Sequence, residues 1–147
     1  MTIHTTAQVG VVAEPELRFT KGGKAWVSIR AVSKPRKNVN GQWVDGDPTW
    51  LNVVVFGKGA EMLVESGVTK GSRLLVTGRL ENREWEDRDG NKRFNLEITA
   101  DTVGLDTTFT AYERVAVERS DRGAASRRDA EPDAPAFGGN WSDEAPF

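Results

Sequence analysis

The sequence predicts an all-β fold, a small five-stranded barrel with one short helix, followed by an acidic tail. Three observations favour this fold. Short runs rich in β-branched and aromatic residues fill the first three-quarters of the chain, and glycine-containing turns separate them. A helical pattern occurs only once in that part. The length of 147 residues supports one domain of ordinary size plus a tail.

The first strands occupy the part of the chain before residue 58. VGVVA and ELRFT come first, and a KGGK turn then leads into AWVSIRAVS. The charged stretch KPRKNVNGQWVDGDP follows, and its Asn40-Gly41 pair is a strong signal for a hairpin turn. TWLNVVVFG is the most apolar of these strands.

A helix then separates the third strand of the barrel from the fourth. KGAEMLVES combines apolar and acidic residues at helical spacing, and we expect its helix to end at Gly67. RLLVTGRLENREWED and KRFNLEITADTV follow as a second hairpin around Asp89-Gly90. The order strand, strand, strand, helix, strand, strand disfavours a parallel sheet, in which a helix would follow each strand. It fits an OB-fold Greek-key barrel, and Gly78 would allow the bend such a strand needs. Other small barrels fit the same pattern.

Alternation of side chains assigns a core face and an outer face to each strand. Leu51, Val53 and Val55 form a core face, so Trp50, Asn52, Val54 and Phe56 lie on the other side. The same alternation places Val27, Ile29 and Ala31 inward and leaves Trp26, Ser28 and Arg30 outside. In the fourth strand it groups Arg79, Glu81, Arg83 and Trp85.

Aromatic and basic residues therefore share one surface. For any single tryptophan, a second small core or a subunit interface is the simpler interpretation. The combination with basic residues favours a single-stranded nucleic acid, because rings stack on bases and cations bind phosphates. The predicted DNA-binding residues are Trp26, Arg30, Lys34, Arg36, Trp50, Phe56, Arg83 and Trp85.

Catalysis has little support in the sequence. His4 is the single histidine, cysteine is absent, and the motifs HExxH, GxSxG and GxxxxGK[ST] do not occur. The acids of the second hairpin alternate with arginines, for which charge pairing is the simplest explanation. We expect neither enzymatic activity nor a cofactor or metal. The lack of cysteine, of a basic leader and of a long apolar stretch predicts a soluble cytoplasmic protein.

Negative charge is concentrated at the C-terminal end. Residues 1–110 carry 15 basic and 14 acidic side chains, a net charge of +1, whereas residues 111–147 carry 5 and 8, a net charge of −3. From Asp129 onward the segment is rich in proline and small residues and holds no basic residue, so we expect disorder over residues 120–147.

The last residues of the chain predict a docking tip. Pro146 restricts the backbone, and Phe147 offers a ring together with the terminal carboxylate. Asp143 and Glu144 would meet a basic rim on a partner. A solubilising tail that ends on phenylalanine by chance is the simpler alternative.

Several motifs resemble those of the bacterial single-stranded DNA-binding proteins, in particular of actinobacterial or phage-encoded members. They are W-x-x-V-V-x-F-G-K-x-A-E from Trp50, K-G-S-x-L from Lys70, G-x-L from Gly78 and W-x-D-x-x-G from Trp85. EPELRF followed by GG is also similar, and so is the acidic tip ending in Pro-Phe. The resemblance covers about the first 110 residues and the tip.

The resemblance implies an OB-fold that binds single-stranded DNA, a homotetramer, and recruitment of replication, recombination and repair proteins through the tip. It implies that Trp50, Phe56 and Trp85 stack on bases. Residues 111–119 are similar to an extra strand with which actinobacterial members clamp subunits. The alternative is an OB-fold subunit of a replication or primosome complex whose aromatic face binds a protein.

Overall fold

The computed structural model describes residues 1–114. Eight strands and one helix follow each other in these residues. In chain order they are β1 (Ile3–Val11), β2 (Glu16–Phe19), β3 (Ala25–Ser33), β4 (Arg36–Val39), β5 (Gln42–Asp45), β6 (Thr49–Phe56), α1 (Lys58–Glu65), β7 (Arg73–Glu86) and β8 (Lys92–Leu105).

Five of the strands close into a barrel. The hydrogen-bonded order is β1-β7-β8-β6-β3, and β3 returns to β1 through Gly10 and Val11. All neighbours are antiparallel except β6 and β8, which run parallel. The helix α1 lies between the third and fourth strands of the barrel in chain order. The predicted five-stranded OB-fold with its helix is thereby confirmed.

Three further strands add to this barrel, so the total exceeds the five that were predicted. β2 pairs with β3 along its outer edge, and β4 and β5 form a separate two-stranded sheet. Their turn is the predicted Asn40-Gly41 pair, both residues having positive φ values of 53° and 82°. These short strands extend the barrel without changing its topology.

The first strand begins earlier than its apolar pattern indicates. VGVVA predicts a strand from Val9, but β1 starts at Ile3 and ends at Val11. Its polar half pairs with β7 from Ile3↔Leu80 to Gly10↔Arg73. Backbone hydrogen bonds hold this half in the sheet, and they do not depend on an apolar side-chain pattern.

The core agrees with the predicted inward faces. Val27, Ile29 and Ala31 of β3 and Val53 of β6 have no exposed surface, and Leu51 and Val55 are also buried. Ala60 and Leu63 of α1 join the same cluster. The helix is followed by Gly67 with a φ of 72°, as expected for a helix that ends at glycine.

Gly78 lies where the backbones of β7 and β8 leave no room for a side chain. The register between the two strands shifts between Thr77 and Gly78 and leaves Asp101 without a partner in the ladder. A Cβ atom at position 78 would stand 2.2 Å from the Thr99 carbonyl oxygen. Only glycine leaves room for this approach, which supports the predicted bend.

Candidate nucleic-acid interface

A wide groove crosses the outer face of the barrel. It has a volume of about 850 Å³, and β2, β3, β6, β7 and β8 all contribute side chains to it. Val54 is 7% exposed and lies on its floor, where β3 and β8 flank the central strand β6. Five of the eight predicted DNA-binding residues line the groove, namely Trp26, Arg30, Phe56, Arg83 and Trp85.

Cross-strand pairing arranges these side chains in rows. Trp26 stands opposite Arg18 of β2 on one side and opposite Phe56 of β6 on the other. Arg30 stands opposite Asn52, and Asn52 neighbours Glu97 of β8. A row with two aromatic side chains therefore spans β2, β3 and β6, and a polar row spans β3, β6 and β8 on the same outer face.

Trp50 lies at the end of β6 away from Phe56. Its side chain is outside the groove lining, yet the Arg30 guanidinium links it to the groove. The Arg30 Cζ atom is 5.7 Å from the centre of the Trp50 ring, and Arg30 donates a hydrogen bond of 3.2 Å to Asn52 Oδ1. The ring is 49% exposed, so one of its faces can still receive a base.

Trp85 belongs to the hairpin that β7 and β8 form beyond the barrel. In the amide orientation that satisfies both groups, Trp85 Nε1 donates to Asn95 Oδ1 at 3.0 Å. The ring is 48% exposed. The hydrogen bond holds the polar edge of the Trp85 indole and leaves a face of the ring open. An aromatic side chain in this arrangement can stack on a ligand.

Arg83 is the predicted cation with the strongest internal pairing. Its Nε atom lies 2.9 Å from Glu97 Oε1 and 3.8 Å from Glu81 Oε2. Glu84 pairs with Lys92 and Asp87 with Arg93 in the same hairpin, as the simple interpretation of its alternating charges predicts. A phosphate at Arg83 would compete with two carboxylates.

Asp87 organises the turn of this hairpin. Its carboxylate accepts hydrogen bonds from the backbone N–H groups of Asp89 and Asn91 and from Arg93 Nε. The hydrogen bond from Asn91, together with the others, holds the pKa of Asp87 below its usual range, although partial burial acts in the opposite direction. The turn that presents Trp85 is thus maintained by an ionised carboxylate.

Two of the predicted cations belong to the arm formed by β4 and β5 or to its base. Arg36 lies in β4, where its Nε atom is 3.9 Å from Asp45 Oδ1. Lys34 precedes β4 and is exposed. Neither side chain lines the groove, and every residue of β4 and β5 is exposed, including Trp43 at 62%. The structure therefore separates this arm from the central groove.

The groove also contains residues that sequence reasoning did not select. Arg18 and Asn52 line it, Lys24 reaches the Phe56 ring from outside the lining, and Glu14, Glu16 and Glu97 add carboxylates. Alternation in ELRF could have placed Arg18 and Glu16 on one face. Nothing local indicated Lys24, because its approach to Phe56 depends on how β3 pairs with β6.

Residues 1–114 offer neither a cluster of metal ligands nor a membrane-spanning helix. No group of three or more histidine or acidic side chains in these residues could hold a metal ion. No helix of this part is long and apolar enough to cross a membrane. The predicted tip residues Asp143, Glu144, Pro146 and Phe147 lie outside the described residues.

The extra strand predicted for residues 111–119 cannot be followed to its end. Residues 111–114 have no regular secondary structure. The remainder of that segment and the predicted disordered tail, residues 120–147, lie beyond residue 114. The prediction of a clamping strand therefore stays a prediction.

Comparison with known proteins identifies relatives along most of the chain. Residues 5–106 match the model of the single-strand binding protein family. The chain is 43% identical over 118 residues to a single-stranded DNA-binding protein of Corynebacterium glutamicum, covering 79% of this chain and 51% of that protein. It is 33% identical over 153 residues to a protein of the same name from Mycobacterium tuberculosis, covering 93% of each.

A solved structure has a similar fold. The small single-stranded DNA-binding protein from Streptomyces coelicolor superposes with a TM-score of 0.66 at 26% identity, covering 72% of this chain and 95% of that one. The chain spans about half the length of some curated relatives, 51% for Corynebacterium glutamicum and 56% for Mycobacterium leprae.

Proposed function

Because the chain belongs to the single-strand binding protein family, we propose that it binds single-stranded DNA without catalysing a reaction. One observation of the fold carries this proposal. Trp26, Phe56 and Trp85 line a single open groove together with Arg30 and Arg83. Phe56 and Trp85 are about half exposed and Trp26 is partly buried. Rings and cations on one surface offer stacking surfaces to bases and counter-charges to phosphates.

Stacking explains why binding would depend little on base sequence. Every base has a π-face, whereas hydrogen-bond readout requires particular edges. The groove is open and is lined by side chains of β2, β3, β6, β7 and β8, to which the bases of an unpaired strand have access. We expect preference for single strands over duplex, with a modest preference for pyrimidines.

Tryptophan fluorescence tests the proposal directly. Adding oligo-dT in the presence of EDTA should quench the emission of the groove tryptophans, and the oligonucleotide should remain intact. A nuclease would shorten the oligonucleotide once metal is supplied. A subunit whose aromatic face binds only proteins would show no quenching, and that result would remove the proposal in favour of the protein-binding alternative.

We also infer a homo-oligomer, and the family resemblance favours a tetramer. Within residues 1–114, β1 pairs with β7 along its length but with β3 only at Gly10 and Val11. Residues 3–9 thus leave one strand edge open, and such an edge can pair with the same edge of a second copy. Light scattering with and without oligo-dT measures the oligomeric state and the stoichiometry, and a monomer under both conditions would contradict this inference.

The C-terminal tip is proposed to recruit replication, recombination and repair proteins. The support comes from the sequence, since Asp143, Glu144, Pro146 and Phe147 combine an acidic approach with a terminal ring and carboxylate. Deleting Phe147 should abolish capture of helicase, polymerase or recombination proteins and leave oligo-dT binding unchanged. Phe147→Trp, which keeps a ring beside the carboxylate, is the control. Full capture by the deletion variant would contradict the proposed role of the tip.

A further inference from the structure

Two cations that the proposed function does not yet use lie at the end of the groove beside the turn between β2 and β3. Arg18 lines the groove, and Lys24 reaches the lining residue Phe56 from outside it. Arg18, Trp26 and Phe56 form one straight cross-strand row over β2, β3 and β6. The Arg18 Cζ atom is 5.7 Å from the centre of the Trp26 ring, and Lys24 Nζ is 5.1 Å from the centre of the Phe56 ring. Each ring of this row therefore carries a cation over its face.

The turn holds Lys24 in place. Thr20 N donates to the Lys24 carbonyl oxygen at 2.9 Å, and Lys24 N donates to Thr20 Oγ1 at 3.1 Å. Gly23, with a φ of 80°, donates its N–H to the Thr20 carbonyl oxygen at 2.8 Å. These hydrogen bonds fix the backbone from which the Lys24 side chain extends to the Phe56 ring. Neither lysine of this turn belongs to the groove lining, but Lys24 reaches the lining residue Phe56, whereas Lys21 lies over none of the groove's rings.

Arg18 is held from two sides. Its NH2 atom lies 3.0 Å from Glu16 Oε2, and its guanidinium covers Trp26. Both Arg18 and Glu16 line the groove. The carboxylate keeps the guanidinium over the ring, but the exposed ion pair is weak enough for a phosphate to replace it.

This row and Trp50 are separate binding positions for bases. Phe56 and Trp50 are the two ends of the outer face of β6, six residues apart, which is about 20 Å along a strand. One base cannot contact both rings. A strand that stacks on Trp50 must continue along the groove to reach Phe56 and Trp26.

We propose that Arg18 and Lys24 bind successive backbone phosphates of single-stranded DNA at this end of the groove while bases stack on Trp26 and Phe56. The inference rests on the proposed function and assigns it an additional subsite. In the free protein the cations cover the rings, and a bound strand supplies full negative charges to which both cations are attracted more strongly. Each cation then leaves a ring face open for a base.

The salt dependence of binding tests the cations. Lys24→Ala and Arg18→Ala should each make the slope of log affinity against log salt less steep, measured with an oligo-dT of about 16 nucleotides. The expected change is about 0.7 per variant, the value for one phosphate contact on a single strand. Lys21→Ala is the matched control, since it removes the same charge from the same turn, and its slope should equal that of the unchanged protein. If Lys24→Ala weakens binding while keeping the full slope, the lysine acts only by packing on Phe56 and the inference is wrong.

The length of the oligonucleotide tests the position of the subsite. Trp26→Ala should weaken binding of an oligo-dT of about 16 nucleotides by roughly tenfold, and binding of one of about 4 nucleotides by much less, because the shorter strand can occupy the Trp50 end. Equal losses for both lengths, or no loss for either, would overturn the inference. If the unchanged protein binds neither oligonucleotide, both the proposed function and this subsite are wrong. If all variants bind with the same dependence of affinity on salt, only the subsite is wrong.

Discussion

Arg30 shows how one side chain connects two parts of the interface. Its guanidinium lies over Trp50 and donates a hydrogen bond to Asn52 in the neighbouring strand. A planar group with several donors can keep both contacts, which an ammonium group could not do with the same geometry. The contact between Trp50 and the groove therefore depends on a residue of β3.

Trp50→Ala should weaken binding of oligo-dT by about 1–3 kcal/mol, because one stacked base loses its ring. Fluorescence titration or electrophoretic mobility measures this loss. Phe94→Ala is the control, because Phe94 is also exposed, at 59%, but among residues 1–114 no cation lies over its ring as Arg30 lies over Trp50. Unchanged affinity in a folded Trp50→Ala protein would exclude this ring from the interface.

Gly78→Ala should destabilise the barrel by about 1–3 kcal/mol, the usual range for an overpacked site. The added methyl group would stand 2.2 Å from the Thr99 carbonyl oxygen, and a backbone atom cannot move aside as a side chain can. Urea unfolding measures the effect. Gly104→Ala in β8 is the control, because its new Cβ atom would meet nothing closer than 3.9 Å. Equal stability of the two variants would show that β7 does not depend on this approach.

Among the elements, the end of β8 is tied to β1 and β7 through one carboxylate. Asp106 accepts hydrogen bonds from Gln8 and from both the backbone N–H and hydroxyl of Thr108, and it lies 3.2 Å from Arg73 Nε. Its side chain is only 9% exposed. The hydrogen bonds from Thr108, followed by those from Gln8 and the charge of Arg73, lower the pKa of Asp106 to about 2 against the opposing effect of desolvation.

Asp106→Asn should therefore remove a pH-dependent part of the stability. The folded pKa lies below the ordinary value of 3.8, so ionised Asp106 stabilises the fold above that value, and the contribution is lost as the pH falls toward 2. Urea unfolding from pH 6 to pH 2 should show a stability gap between the variant and the unchanged protein that narrows with acidity. Asp101→Asn is the control, since Asp101 is 56% exposed. A gap that stays constant over this range would contradict the role of the Asp106 charge.

At the scale of the whole molecule, charge is divided between the two ends of the chain. The net charge is +1 over residues 1–110 and −3 over residues 111–147. The groove itself mixes cations with carboxylates such as Glu16 and Glu97. Attraction to DNA must therefore come from local contacts, and we expect the negative charge of residues 111–147 to oppose it at low salt.

Truncation before Asp129 should tighten binding of oligo-dT modestly at low salt, because it removes five acidic side chains and no basic ones. The gain should disappear as salt shortens the screening length to about 8 Å at physiological ionic strength. Titrations at two salt concentrations measure both effects. The control replaces the same five acids by neutral residues in the full-length chain, which removes the charge but keeps the length. If the truncated protein still binds oligo-dT more tightly at high salt, the tail hinders binding sterically and the charge explanation is wrong.

Alternation of side chains predicted much of the site. It placed Trp26, Arg30 and Phe56 on the outer face, and the structure brings all three into one groove. It did not predict that Lys34 and Arg36 lie away from that groove, because the direction of the arm depends on how β4 and β5 leave β3 and β6. The start of β1 was missed for a related reason, since residues 3–8 enter the sheet through pairing with β7.

The sequence by itself determined the type of most elements, the inward faces of β3 and β6 and the turns at Asn40-Gly41 and Gly67, because strand alternation and positive φ are local properties. Only the tertiary structure decided which cation meets which ring or acid. Arg18 covers Trp26, Lys24 covers Phe56, and Arg83 is shared by Glu81 and Glu97. These contacts follow from strand register and barrel closure, which join residues far apart in the chain and leave no periodic signal in it.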